Sequence, residues 1–207
     1  MSRLFRQGYL DVLCGVYSLM NATAIVADNF RWKDAQEAFA ESVKLLEAKG
    51  SLSHVLRNGI GYKDMTAIFD NVLAPVHGLQ RDSPFRKHDK LPLSTFCHEV
   101  DQFLKADRQH AVIVLFENRY WVHWTVITEI KPKTIVLADS ARRSFLHRTF
   151  LTTSRKRTGR STRIFAKPTL FISRKNIDLA CDVSPRLETA DRSEAPFEAG
   201  TLSLGQI

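Results

Sequence analysis

Apolar positions along this chain change their spacing near residue 110. Before it they recur every three or four residues, the period of a helix with a buried face. After it they run together or alternate, as in strands. The first segment is apolar nearly all round. Val16, Tyr17, Leu19, Met20, Ala22, Ala24, Ile25, Val26 and Ala27 follow Cys14-Gly15 without a proline. That predicts a buried helix over 14–28 with Cys14 in its first turn. Phe39, Val43 and Leu46 predict an amphipathic helix over 32–49, stopped at Gly50. Residues 51–58, 62–72 and 93–106 predict three more helices. The stretch 75–92, rich in Pro, Gly, Asp and Lys, reads as a loop.

The second half is β-prone. Ala111-Val112-Ile113-Val114-Leu115-Phe116 predicts a strand buried on both faces. Segments 120–128 and 134–139 predict two more strands about Lys131-Pro132-Lys133. A final pair is expected over 163–166 and 169–173, broken at Pro168. Helices first and antiparallel strands after is an α+β order.

Composition narrows the class. With 207 residues and 44% hydrophobic content the chain can bury a substantial core. One domain is expected over 1–175, followed by a polar, acidic, loosely ordered tail over 176–207. No run of 18 apolar residues occurs, so no membrane span is expected, and the N-terminus lacks the apolar middle of a secretory signal. Three cysteines (Cys14, Cys97, Cys181) do not make a disulfide framework, which favours a cytoplasmic, reducing compartment and leaves delivery as a secreted effector open. No phosphate loop, EF-hand or zinc spacing is present, and neither cofactor nor metal is expected.

The net charge of +8 is concentrated. Residues 141–175 hold eleven Lys/Arg and no acid, while 176–207 hold six acids against two Arg, leaving +1 for the first 140 residues. The basic 142–175 segment is either a solvated face or a surface for an acidic substrate or other anionic partner. Its aromatics (Phe145, Phe150, Phe165, Phe171) sit at core-like positions, which argues against nucleic acid.

Cys14 carries the candidate chemistry. A lone cysteine is more often a small core residue, but one at a helix N-terminus meets free N–H groups and a positive dipole end that favour thiolate over thiol. Gln7, seven residues upstream, could add a side-chain N–H to the Cys14 backbone N–H, forming a two-donor oxyanion hole. Strand alternation puts Trp121, His123, Thr125 and Ile127 on one face, and Ile135, Leu137 and Asp139 on one face of the next strand. A hairpin folded about Lys131 would pair Ile127 with Ile135, Thr125 with Leu137 and His123 with Asp139, about 5 Å apart at Cβ. A carboxylate-oriented imidazole is the base that a thiol nucleophile needs. Cys97-His98 and the remaining histidines read as structural or solvated.

In Gln7…Cys14-Gly15, His123-Trp124 and Ala138-Asp139-Ser140, the chain resembles the papain-like cysteine peptidases, most closely the compact bacterial C39-like members. The resemblance spans roughly residues 6–140. It implies a helical N-terminal subdomain carrying the cysteine, packed on an antiparallel sheet carrying His and Asp. By the same resemblance Cys14 is the nucleophile, His123 the base and acid, Asp139 the orienting residue and Gln7 the oxyanion donor. The implied activity is a thiol-dependent hydrolase that cleaves peptide or isopeptide bonds of a protein or peptide substrate. Leu13 stands where many C39 peptidases have an acid, and an attached transporter is not expected. Glutamine deamidases, transglutaminases and arylamine acyltransferases use the same residue order, so a deamidase or other thiol acyl-transfer enzyme is the alternative. A non-enzymatic module using the basic segment is a third reading.

Overall fold

Strand β2 (Ala111–Glu117) is covered on both faces, and two cores grow from it. Ala111 and Ile113 join one core; Val112, Val114 and Phe116 join the other. Alternation on a strand with no solvent face gives the unbroken apolar run seen in the sequence. The computed structural model describes residues 4–8, 12–88, 90–154 and 162–175. The predicted tail, Cys181 and the basic stretch 155–161 lie outside the described residues.

The first core is helical on its far side. Helix α1 (Cys14–Val26) packs across β2 and across strands β3 (Val122–Ile130) and β7 (Thr162–Arg174). Helices α2 (Trp32–Ala48), α3 (Leu52–Asn58) and α4 (Tyr62–Ile68) follow. A π-helical turn, Phe69–Leu73, then leads into the short α5 (Ala74–His77). Because α1 touches the sheet on one side and α2 and α4 on the other, its apolar residues go nearly all round. On the opposite face of the sheet, α6 (Leu93–Ala106) sends Phe96, Cys97 and Val100 into the second core.

Among the described residues the sheet has seven strands, ordered β1-β7-β2-β3-β4-β5, with β1 Leu79–Asp82, β4 Thr134–Ala138 and β5 Phe145–His147. All pairs are antiparallel except the two-residue β6 (Leu151–Thr152), which runs parallel to β7. The α+β expectation therefore holds. Several details differ from the sequence reading, among them the short α5 and strands β5 and β6, which it did not include. The expected final pair is a single strand, β7, whose register with β2 slips between Ile113↔Leu170 and Leu115↔Phe165. Pro168 falls in that slip, where a residue without an N–H breaks no ladder bond. Part of the presumed loop 75–92 is β1, an edge strand paired to 171–174 of β7. It has one buried apolar residue, Leu79, so its own sequence carries almost no strand signal.

The start of α1 is held in a tight socket. A Cβ on Gly15 would lie 2.1 Å from Ile60 Cγ2, 2.5 Å from Met65 Sδ and 3.1 Å from Trp124 Cδ1. Only a glycine lets α4 and β3 close this far on the helix. Trp124 also donates its indole N–H to the Ile60 carbonyl at 2.9 Å, tying β3 to the loop before α4.

Candidate functional site

The N-terminal lead is fixed by α1 itself. Buried Asn21 accepts the Phe5 N–H on Oδ1 at 2.7 Å and donates through Nδ2 to the Phe5 carbonyl at 3.1 Å. Two residues on, the Gln7 N–H donates to the Ser140 carbonyl at 3.2 Å, and the Ser140 hydroxyl donates to Gln7 Oε1 at 3.4 Å. Gln7 is thus set beside the residue that follows Asp139. With Oε1 accepting from Ser140, Nε2 is the donor end of the amide.

His123 and Asp139 form a buried pair. His123 Nε2 and Asp139 Oδ1 are 2.6 Å apart, with side-chain exposures of 4% and 0%. They do not meet as direct cross-strand partners. Next to the turn, Ile130 pairs with Ile135 and Glu129 with Val136; beyond a bulge at Thr128, Ile127 pairs with Leu137 and Val126 with Ala138. Continuing that register brings Thr125 opposite Asp139, so His123 reaches the carboxylate diagonally. The expected pairing of Ile127 with Ile135 and Thr125 with Leu137 is corrected accordingly. The turn is also tighter than expected, with Lys131 N–H donating to the Thr134 carbonyl at 2.8 Å around Pro132-Lys133. Left unbulged, the register beside this turn would oppose Val126 to Asp139 and put His123 on the other face. The extra residue at Thr128 restores the parity that brings the pair together.

Opposing effects act on the imidazole. Burial pushes the His123 pKa down, while the Asp139 hydrogen bond, the Cys14 thiol and the Asp139 charge push it up; the net result is a rise to about 9. Cys14 is buried at the first position of α1, the helix that packs on the strand carrying His123. With Nε2 engaged by Asp139, Nδ1 is the nitrogen left for a second partner. Burial raises the Asp139 pKa, but the His123 hydrogen bond and charge outweigh it, and the Arg143 N–H adds to them at 3.0 Å from Oδ2; the carboxyl is held below its ordinary range. The buried Thr125 hydroxyl stands beside the same carboxyl and makes no hydrogen bond of ordinary length and angle. Aromatic rings wall the pair, with Trp121 at 4.7 Å and Phe116 at 5.6 Å from the imidazole, both edge-on.

Of the residues singled out from sequence, the structure brings His123 and Asp139 into contact and sets Gln7 beside Ser140, while Cys14 stands buried at the start of α1, the helix that packs on β3. Cys97 lies elsewhere, buried between α6 and the sheet; burial pushes its thiol pKa up against the influence of Arg148. His110 Nδ1 lies 2.6 Å from the Phe103 carbonyl and His54 Nδ1 lies 3.2 Å from Asn58, both local contacts. Among the described residues no group of three His, Cys, Asp or Glu could hold a metal, and no helix is long and apolar enough to cross a membrane. The sequence reading gave no role to Asn21, Ser140 or Arg143. Asn21 meets the Phe5 backbone 16 residues away, Ser140 meets Gln7 133 residues away and Arg143 acts through its backbone N–H, so no local pattern announces them. No family model, curated protein or solved structure matches the chain.

Proposed function

We propose that this protein is a thiol-dependent hydrolase of peptide or isopeptide bonds, working through Cys14, His123 and Asp139. The observation that carries this reading is the buried imidazole held through Nε2 by Asp139, on the strand against which α1 packs with Cys14 at its first position. In this scheme Asp139 fixes the ring so that proton traffic runs through Nδ1. His123 takes the Cys14 proton, and the thiolate attacks the scissile carbonyl carbon. The carbon–nitrogen bond then breaks as His123 returns the proton to the departing amine, leaving a thioester. Water attacks the thioester as His123 takes its proton, and the Cys14 thiol is released. Gln7 Nε2 and the Cys14 backbone N–H are the donors assigned to the oxyanion. A papain-like arrangement of the α+β fold belongs to the same proposal.

The test is a proteome-derived peptide library digested by wild-type protein, Cys14→Ser and His123→Ala, with new termini read by mass spectrometry. New termini with wild type alone are expected. Ammonia release with no new termini, lost in Cys14→Ser, would replace hydrolysis with glutamine deamidation. Neither product, together with Cys14 alkylation by iodoacetamide that is indifferent to His123→Ala, removes the proposal.

A further inference from the structure

The turn after β4 contains the one described non-glycine residue with a left-handed backbone, Arg142 at φ 68°. Such a conformation is disfavoured for a residue with a Cβ and persists where the surroundings require it. Here it doubles the chain back so that the next N–H, that of Arg143, reaches Asp139 Oδ2 at 3.0 Å. The Arg143 side chain goes elsewhere. Its guanidinium carbon lies 5.0 Å from the Trp121 ring centre and 5.6 Å from that of Phe116. Those rings stand edge to face at 5.3 Å and are the two that meet the His123 imidazole. The guanidinium charge is directed at these two ring faces.

We propose that Arg143 is a positioning residue that holds the His123–Asp139 pair from two sides, by its backbone N–H on the carboxylate and its guanidinium on the aromatic wall beside the imidazole. The wall keeps water from the Nε2–H···Oδ1 bond, and the N–H stops the carboxylate from rotating away from it. This rests on the proposed function only for its catalytic consequence; the shielding itself is a property of the folded protein.

The experiment reads the His123 Nε2–H proton directly. In ¹⁵N-histidine-labelled protein near pH 6.5, its exchange with solvent is measured for wild type, Arg143→Ala, Arg143→Gln, Arg143→Lys and Trp121→Ala, with thermal melting as the check on folding. Exchange at least tenfold faster is expected in Arg143→Ala, Arg143→Gln and Trp121→Ala, with Arg143→Lys recovering much of the protection. A general loosening of the fold would speed exchange in Arg143→Lys as well. Unchanged exchange in a folded Arg143→Ala or Arg143→Gln protein overturns the proposal, as does a wild-type Nε2–H that exchanges too fast to observe. Repeating the series in Cys14→Ser separates the two readings: the shielding effect persists there even if Cys14 proves to have no chemistry. Where Cys14 is the nucleophile, Arg143→Ala also slows its alkylation severalfold at neutral pH.

Discussion

Replacing His123 by Gln should abolish a pH dependence of stability that the wild-type protein carries between pH 6.5 and pH 9. The His123 pKa rises from 6.5 to about 9 on folding, against burial, because Asp139 and Cys14 favour the imidazolium. Between those values the folded protein holds one proton that the unfolded chain has released, so stability falls as pH rises. The contribution is complete below pH 6.5 and is lost through pH 9. Each pH unit in that window removes about 1.4 kcal/mol, and the whole window about 3 kcal/mol. Urea unfolding followed by tryptophan fluorescence, at steps across the window, gives the wild-type curve. The His123→Gln curve is subtracted so that every other titrating group cancels. Cys14→Ser should keep the sign of the difference and reduce its size. A wild-type minus His123→Gln difference that stays flat, or one that grows with pH, would refute an imidazolium held in the folded protein by Asp139.

Other substitutions test the same framework. Gly15→Ala should cost about 1–3 kcal/mol or more in urea unfolding, since its methyl would meet Ile60 and Met65, and Ile60→Ala in the same chain should make the second change cheaper than it is alone. Asp139→Asn leaves the buried imidazole without its anionic partner; a loss of about 3–5 kcal/mol at pH 6.5 is expected, with slower iodoacetamide labelling of Cys14. On the acid side the sign reverses: the lowered Asp139 pKa stabilises the protein above pH 3.8, and this is lost as pH falls further, a step that acid unfolding of Asp139→Asn should lack. Trp124→Phe removes the indole donor to the Ile60 carbonyl and should cost about 1–3 kcal/mol by chemical denaturation.

Much of the molecule is written in local pattern. The helices at 14–26, 32–48 and 93–106 fall within two residues of where apolar period and stop residues put them, because one buried face repeats every turn. The apolar run in β2 announces a strand with two covered faces, and Cys14 at the head of an apolar helix marks itself by the residues around it. Alternation also places Trp121, His123 and Thr125 together, and all three line the pair that Asp139 completes.

Tertiary structure decided what depends on distant partners. The edge strand β1 exists because β7 offers it hydrogen bonds; its own side chains hardly call for one. Gln7 is located by Asn21 and Ser140, and the Asp139 carboxylate is fixed by a backbone N–H that every residue but proline possesses. The meeting of His123 with Asp139 depends on the bulge at Thr128, which sets which face each side chain takes. Periodicity states that a strand alternates, but its register comes from the hydrogen bonds of the whole sheet, and one added residue reverses the faces.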